Sequence, residues 1–319
     1  MSADPTLADI GEFSLISQLV RSLTMPPFVS VGPGDDAAVY LVNGSSVTSV
    51  DMLVENVDFR KAWSSPSDIG RKSVAVNVAD IEAMGAVPRA MVIALGLPSS
   101  TPVTWVKEFF AGMREESDKA HICLVGGDIS QAEQITVSLT AIGETQGRQP
   151  IVRSGAHIGD IVAYRGRLGW AAAGLAALRR GFRSPRAVVD AQRHPDIPYG
   201  AGVEAAEAGA TSMIDISDGL IADLYHVATA SNVTIALEKA LFTVDDPVAT
   251  VSSALNIDPL DFLLNGGEDH ALVATFPPDH LPENWQPIGT VIDPDPDGSA
   301  VIVDQTICSP TTGWQHFAS

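Results

Sequence analysis

Acidic residues beside glycine or serine recur at separated points of the chain, and this recurrence is its clearest chemical signal. They stand at Asp36 in GPGDDAAV, Asp51 in SVTSVDMLVE, Asp128 in CLVGGDIS, Asp215 and Asp218 in SMIDISDG, and Glu268 in NGGEDHAL. Carboxylate oxygens are hard ligands that suit Mg²⁺, which is usually shared with the phosphates of a substrate. The pattern therefore predicts a magnesium-dependent phosphate site, although each acid taken alone is also typical of a turn or a helix cap.

The stretch 30–42, SVGPGDDAAVYLV, begins like a dinucleotide-binding loop, with Gly32 and Gly34 in the spacing G-x-G-x-x-A. Such a loop lies between a strand and a helix and holds pyrophosphate on backbone amides. Here Asp35 and Asp36 would repel a pyrophosphate, and the following AAVYLV is typical of a strand. Two interpretations stay open, a turn that presents Asp36 to a metal ion and a plain acidic turn.

Asp80 lies on a helix predicted over residues 68–84, with Ser67 as its N-cap and Gly85 at its end. The faces of this helix are largely Ala and Val, so we expect it to be buried on nearly all sides. A buried carboxylate needs a strong partner. A metal ion would satisfy Asp80, and an ion pair or a cap is the simpler alternative.

One acidic segment and several familiar motifs can be set aside. DPDPDGSAVIVD, at 293–304, nearly matches a calcium-binding EF-hand loop, but its prolines and flanking strands favour a hairpin turn. The sequence contains no P-loop, protein-kinase, zincin or α/β-hydrolase motif. A nucleotide-using enzyme is favoured, and an acidic cation-binding scaffold is the non-enzymatic alternative.

Composition narrows the class of partner. The 319 residues carry a formal net charge of −20, which argues against nucleic acid and anionic membranes as partners. The apolar segments are far shorter than the roughly 20 residues of a membrane span. The acidic N-terminus lacks the pattern of a signal peptide, so we expect a cytoplasmic protein. Cys123 and Cys308 are predicted to be buried free thiols.

The length suits two domains, and the linker TQGRQP predicts a boundary that gives segments 1–147 and 148–319. Both read as α/β domains (α+β type), the second with a mixed sheet flanked by helices. The first is predicted to hold helices at 12–23, 68–84 and 102–120 and strands at 37–42, 47–50, 91–97, 122–125 and 135–144. In the second we predict strands at 161–164, 213–216, 233–237, 271–276, 288–292 and 300–303, a helix at 168–180, and a helix from about 218 capped by Ser217.

The acidic stretches described above, taken in chain order, resemble motifs of the thiamine-monophosphate kinase family. This family is part of a superfamily that includes aminoimidazole ribonucleotide synthetase. The matching motifs run from GEFSLI at 11–16 through GPGDDAAV, VDMLVENVDF, VNVADIEAMGAVP, GGDIS, RSGA, DISDGLIADL and GGEDHAL to GWQHF at 313–317, almost the whole chain. The resemblance implies a homodimer formed through the sheet of the first domain, which binds ATP and Mg²⁺, while the second domain completes the active site. It implies direct transfer of a phosphoryl group from ATP to thiamine monophosphate, giving thiamine diphosphate and ADP without a protein general base.

The resemblance also implies roles for individual residues. The Mg²⁺ ligands would be Asp36, Ser49, Val50, Asp51, Asp80, Asp128, Asp215 and Asp218. ATP would contact Gly127, Asp128, Arg153 and Ser217, and the substrate would contact Asp58, Glu268 and Trp314.

Three positions depart from the family pattern. Asp58 replaces a His that is expected to meet the substrate, Asn56 replaces a Gly, and His270 stands where Tyr is common. Asp58 would repel a substrate phosphate unless it is protonated, metal-bound or turned away. An ATP-dependent ligase or synthetase of the same superfamily, acting on another substrate, is therefore the alternative function.

Overall fold

The computed structural model describes residues 4–21, 23–296 and 298–309. The chain forms two compact units, the first made of the described residues up to Ile81 with Val87–Gly147, the second of Glu82–Ala86 with the described residues from Arg148 onward. The sequence predicts two continuous segments instead. Glu82–Ala86 groups with the second unit because Ala83 packs in its core, against residues such as Ile151 and Ala205.

The first unit is built on a four-stranded sheet. Its strands, in chain order after the short β1 (Val29–Val31) and β2 (Val39–Tyr40), are β3 (Ser46–Val54), β4 (Val87–Leu97), β5 (Cys123–Gln131) and β6 (Thr136–Glu144). The order across the sheet is β3-β6-β4-β5, with only β4 and β5 parallel. The helices are α1 (Leu7–Ile10), α2 (Glu12–Val20), α3 (Pro66–Ala83) and α4 (Val103–Ala120).

Helix α3 begins with a reciprocal pair of hydrogen bonds. The Ser65 N–H donates to Asp68 Oδ2 at 2.8 Å, and the Asp68 N–H donates to Ser65 Oγ at 3.1 Å. The predicted cap at Ser67 is therefore wrong, because Pro66 already occupies the first helical position, which proline favours. Residues 72–79 are all buried, as their Ala and Val content predicts.

Two predictions about the first sheet are wrong. The turn signal Asn43-Gly44 between the predicted strands 37–42 and 47–50 favours a hairpin, but β2 pairs with β1 while β3 pairs with β6 along its whole length. Strand β5 does not end at Gly126-Gly127-Asp128. Its pairing with β4 continues through Ile93↔Gly127 and Ala94↔Asp128 to Gln131, so these residues lie within the strand.

The second unit is built on a seven-stranded mixed sheet. Its strands are β7 (Ile161–Arg165), β8 (Ser212–Asp215), β9 (Thr234–Leu237), β10 (Leu272–Phe276), β11 (Gln286–Ile292), β12 (Ala300–Val303) and β13 (Thr306–Ile307), in the order β13-β12-β9-β11-β7-β10-β8. Strand β9 lies between β11 and β12, so the connection at 293–299 is not the predicted hairpin turn. The helices are α5 (Trp170–Arg179), α6 (Arg186–Arg193), α7 (Ala201–Ala208), α8 (Leu220–Ser231), α9 (Asp246–Leu255) and α10 (Pro259–Asn265).

Both faces of this second sheet are buried. Alternate residues of one strand enter different cores, as Val162 and Ala163 do on β7. This explains why the strands read as continuous apolar runs. The mixed α/β class predicted from the sequence is confirmed. No helix within the described residues is long and apolar enough to cross a membrane, and Cys123 and Cys308 are free and only partly buried.

Candidate functional site

Strand β3 and helix α3 bring together three of the predicted metal ligands. The hydroxyl of Ser49 donates to Asp80 Oδ2 at 2.5 Å. The N–H of Asp51 donates to Asn77 Oδ1 at 3.0 Å. Ser49 and Asp51 lie two residues apart and so share a face of the strand. Val50, between them, points its side chain to the opposite face, where it is 60% exposed.

The environment of Asp80 differs from the prediction in one respect. The side chain is partly exposed, not fully buried, although residues 72–79 before it and 81–83 after it are buried. Asn77, one turn earlier, is fully buried and donates its amide to the Ser73 carbonyl at 2.9 Å. The helix therefore anchors Asn77 in the interior and presents Asp80 at the boundary with solvent.

A second group of predicted ligands lines a cavity of about 220 Å³ within the first unit. Its walls include Asp36 with its glycine loop and the strand segment that carries Gly127 and Asp128. Gly34 has a φ of +118°, a conformation open mainly to glycine, and the next carboxylate, Asp35, accepts the Asp36 N–H at 2.9 Å. The loop thus turns back on itself and leaves Asp36 exposed at the cavity.

Position 127 requires glycine because it has no room for a side chain. A Cβ there would overlap the carbonyl oxygen of Ile93 on the neighbouring strand. The following Asp128 is exposed, and its Oδ2 accepts the hydroxyl of Ser130 at 3.0 Å. The glycine therefore allows the close strand approach that fixes where Asp128 emerges.

In the second unit, Asp215 ends strand β8 and is buried against an aromatic base. Its Oδ2 lies 3.0 Å from Nδ1 of His270, which is also buried. The carboxylate of Asp223 accepts the N–H groups of Asp218 and Gly219, each at 3.1 Å. Burial, together with Asp215 and Asp218, raises the pKa of Asp223 to about 7.

These contacts correct the predicted start of helix α8. The helix begins at Leu220 after Gly219, so Ser217 is not its N-cap. Asp223 in its first turn reaches back to the two N–H groups that precede the helix. Ser217 instead offers its carbonyl to the Glu268 N–H, at 2.7 Å.

The segment Glu268-Asp269-His270 is held in an unusual backbone conformation. Glu268 has a φ of +66° and His270 a φ of +50°. Non-glycine residues in this region are strained, and such residues concentrate at ligand sites. The Ile216 carbonyl accepts the His270 N–H at 2.8 Å, which joins this segment to the one that carries Asp215.

Asp269 fastens this segment to helix α5. Its carboxylate accepts the Gly169 N–H at 2.5 Å and the Ala171 N–H at 2.8 Å, at the start of that helix. Complete burial raises the pKa of Asp269 to about 7, although the two N–H donors act in the opposite direction. Asp269 therefore supports the position of Glu268 from within the core.

Asp58, the departure at the predicted substrate position, points into its own loop. Its Oδ2 accepts the Val54 N–H at 2.8 Å, and Lys72 Nζ donates to its carbonyl oxygen at 3.2 Å. Asn56 has a φ of +68°, which explains how it replaces a glycine, since Asn tolerates this region. The structure therefore shows the Asp58 carboxylate bonded to the backbone of its own loop.

The remaining predicted residues are less defined by contacts. Arg153 lies exposed on the short 3₁₀ turn Arg153–Gly155. Trp314 lies outside the described residues. In the described part of the chain, no three His, Cys, Asp or Glu side chains cluster closely enough to hold a metal ion. Mg²⁺ is commonly held by one or two carboxylates together with substrate phosphates and water.

Sequence reasoning missed three residues that organise these groups, namely Asn77, Asp223 and Asp269. Each is a buried polar side chain that holds backbone N–H groups or a neighbouring carbonyl. A signal was present for Asp223, a carboxylate set among the apolar residues of LIADLY, and for Asp269, which directly follows Glu268 in GGEDHAL. Their partners come from separate elements, and the sequence alone did not pair them.

The chain was compared with known proteins. Residues 34–145 match the family described as AIR synthase related protein, N-terminal domain. A thiamine-monophosphate kinase of Mycobacterium tuberculosis is 45% identical over 316 residues, which cover 98% of this chain and 93% of that protein. This chain belongs to the thiamine-monophosphate kinase family.

Solved structures of the thiamine-monophosphate kinase family have the same fold. The thiamine-monophosphate kinase of Stenotrophomonas maltophilia matches with a TM-score of 0.80 at 28% identity, covering 94% of this chain and 98% of that one. The structure described as AaThiL complexed with AMPPCP and TMP matches with a TM-score of 0.76 at 28% identity, covering 99% and 100%. The family resemblance inferred from the ordered motifs is confirmed.

Proposed function

We propose that this chain transfers the γ-phosphoryl group of ATP to the phosphate of thiamine monophosphate, giving thiamine diphosphate and ADP. The observation that carries the proposal is the 45% identity, over nearly the full length, to a thiamine-monophosphate kinase. The full-length likeness to a structure with AMPPCP and TMP supports it, because AMPPCP is an ATP analogue with a methylene group between its β and γ phosphorus atoms. ATP as donor also favours a cytoplasmic location.

The reaction requires little covalent chemistry from the side chains of the protein. The acceptor oxygen belongs to a phosphate that is already ionised, so no side chain has to remove a proton from it. Positioning and neutralisation of charge carry phosphoryl transfer. This agrees with a site whose candidate residues are mostly acids.

Mg²⁺ is the proposed cofactor, and the donor set fits it. The proposed ligands are Asp36, Ser49, Val50, Asp51, Asp80 and Asp128 in the first unit and Asp215 and Asp218 in the second. Their oxygens are hard donors, and the Ser49 hydroxyl fixes the orientation of the Asp80 carboxylate among them. When bound, Mg²⁺ would neutralise the phosphates of ATP and substrate so that the two anions can approach.

The remaining residues of the proposed site orient the two substrates. Gly127 and Asp128, at the first-unit cavity, Arg153 and Ser217 are proposed to contact ATP. Glu268 is proposed to contact the thiamine moiety, and its strained backbone is held by Ser217 and the neighbouring Asp269. Trp314 is proposed to stack on the same moiety. Asp58 is proposed to shape the substrate loop, since its carboxylate already binds the Val54 N–H.

We also propose that the enzyme is a homodimer formed through the open face of the first sheet. Val50 and Met52 on the edge strand β3 point to this face and are 60% and 58% exposed. Adjacent exposed apolar side chains of this kind mark interaction surfaces. Light scattering coupled to size exclusion should give twice the chain mass, and replacement of both residues by Asp should give the single mass.

The test of the activity uses the purified full chain with ATP, Mg²⁺ and thiamine monophosphate. We expect equal amounts of thiamine diphosphate and ADP, separated by chromatography, and no thiamine diphosphate when EDTA is present. A known thiamine-monophosphate kinase in parallel reactions validates the assay. Absence of product in the presence of that working control would refute the proposal, and ADP formed only with an aminoimidazole precursor would favour the synthetase alternative.

A further inference from the structure

The second unit carries a concentrated basic loop that the proposed reaction does not use. Residues 179–186, with the sequence RRGFRSPR, hold four of the chain's 19 Lys and Arg and none of its 39 Asp and Glu. Arg179, Arg180, Arg183 and Arg186 are all exposed. We call this segment the arginine loop. It is a local positive patch on a chain whose net charge is −20.

The arginine loop is held firmly between two helices. Helices α5 and α6 approach so closely that a Cβ on Gly174 would overlap the Val188 carbonyl oxygen. Gly181, with a φ of +82°, ends α5, and the Phe182 N–H returns to the Ala177 carbonyl at 3.0 Å. The loop therefore presents its side chains from a fixed backbone.

Phe182 lies at the tip of this loop and is 56% exposed. At the corresponding position after a helix, an apolar side chain usually packs back on the last turn. Phe182 keeps more than half of its surface in solvent. An apolar ring surrounded by arginines is typical of the centre of a protein interface, where aromatic residues and Arg are enriched.

Favourable interactions with helix ends explain only some of the arginines in the loop. Arg179 and Arg180 lie at the C-terminus of α5, where cations are favourable. Arg186 lies in the first turn of α6, where a cation is unfavourable and which contains no acid. Its side chain is 89% exposed and pairs with Asp190 in the weaker of the two i,i+4 orientations.

The acids on the packed neighbours do not neutralise the loop. Asp190 lies 3.2 Å from Arg193 as well as 3.1 Å from Arg186, so it is shared. On α9, which packs on α5, the acids stand at the first turn. There Asp245 accepts the indole N–H of Trp170 at 2.8 Å, at the opposite end of α5 from the loop. Arg183 donates to the carbonyl oxygen of its neighbour Phe182 at 3.2 Å.

We propose that the arginine loop docks an acidic segment of another protein, with Phe182 covered by an apolar residue of that segment. Charge complementarity favours this occupant over extended polyanions. Without the four arginines the chain would carry a formal charge of −24, so a nucleic acid or an anionic membrane meets repulsion around the loop. A short acidic segment contacts only the arginine loop. The acidic residues of the chain that lie more than about 8 Å from this segment are screened at physiological salt.

The experiment uses the full chain and a fluorescein-labelled peptide of repeating Glu-Glu-Leu units, followed by anisotropy at low and at high salt. We expect binding that weakens with salt and is absent for the Gln-Gln-Leu peptide. Replacing the four arginines of the loop with Gln should weaken binding at least about 10-fold. Phe182→Ser should weaken it several-fold even though the charge is unchanged.

The matched control removes exposed cations elsewhere, with Arg21→Gln and Lys107→Gln in the first unit. This control should bind the peptide like the parent chain, and all variants should stay folded at the assay temperature and keep the parent's kinase activity. Equal binding by parent and arginine-loop variants would overturn the proposal. Tighter, arginine-dependent binding to a single-stranded RNA or to phosphatidylserine vesicles than to the peptide would overturn the assignment of a protein partner.

Discussion

Ser49 and Asp80 form a hydrogen bond of 2.5 Å that ties the edge strand β3 to the buried helix α3. The helix fixes the backbone of Asp80, and the hydroxyl fixes one of its two carboxylate oxygens. The second oxygen is thereby given a defined direction before any ligand arrives. Such preorganisation is what makes an electrostatic contribution to catalysis large.

Asp80→Asn should lower kcat for thiamine diphosphate formation by at least about 100-fold, because it removes one charge from a preorganised site for ions and phosphates. Asn retains an oxygen that can accept the Ser49 hydroxyl, so the fold should be kept. The matched control is Asp68→Asn on the same helix, where the carboxylate accepts the Ser65 N–H at the helix start. Steady-state rates at saturating Mg²⁺ and urea unfolding measure both effects. Unchanged turnover in Asp80→Asn would remove this residue from the site.

The sequence singles out candidate acids but not the side chains that support them. Asp80 is predicted as a metal ligand from the helix pattern and Ser49 from the family resemblance, and the buried character of α3 follows from its Ala and Val content. The contact between them is not predictable from the sequence. It depends both on which residues of the strand face the helix and on which residues of the helix face the strand. Gly127 shows the same limit. Its place inside β5 depends on pairing with β4, which local sequence does not encode, so the strand was predicted to end there.

Gly127→Ala and Gly126→Ala form a matched pair on strand β5. A Cβ at Gly127 would overlap the Ile93 carbonyl, whereas a Cβ at Gly126 meets only Val92 Cγ1, at 3.7 Å, an ordinary contact. We expect Gly127→Ala to lower the free energy of unfolding by about 1–3 kcal/mol and to displace Asp128, with activity falling at least about 10-fold. Gly126→Ala should change both quantities little. Urea titration and initial rates compare the two, and equal behaviour would contradict the assignment of close strand approach to Gly127.

Asp58 offers a test of the substrate loop. Asp58→Ala should lower the free energy of unfolding by about 1 kcal/mol, because the Val54 N–H loses its acceptor. Asp58→Asn keeps a carbonyl acceptor and should cost less. If the loop serves thiamine monophosphate, Asp58→Ala should raise the KM for this substrate more than the KM for ATP. Equal increases in both KM values would argue against a role of the loop in substrate specificity.

Asp269 predicts a specific dependence of stability on pH. Burial raises its folded-state pKa from 3.8 to about 7, so between these values the folded state holds a proton that the unfolded state has released. The contribution of this group to the free energy of unfolding is therefore greatest at low pH and falls as pH rises towards about 7. Asp269→Asn removes the titration, so the stability difference between parent and variant should be larger near pH 5 than near pH 8. Urea unfolding of both proteins at these two pH values measures it. A difference that stays constant, or that grows with pH, would mean that Asp269 is ionised in the core throughout this range, with its charge held by the Gly169 and Ala171 N–H groups.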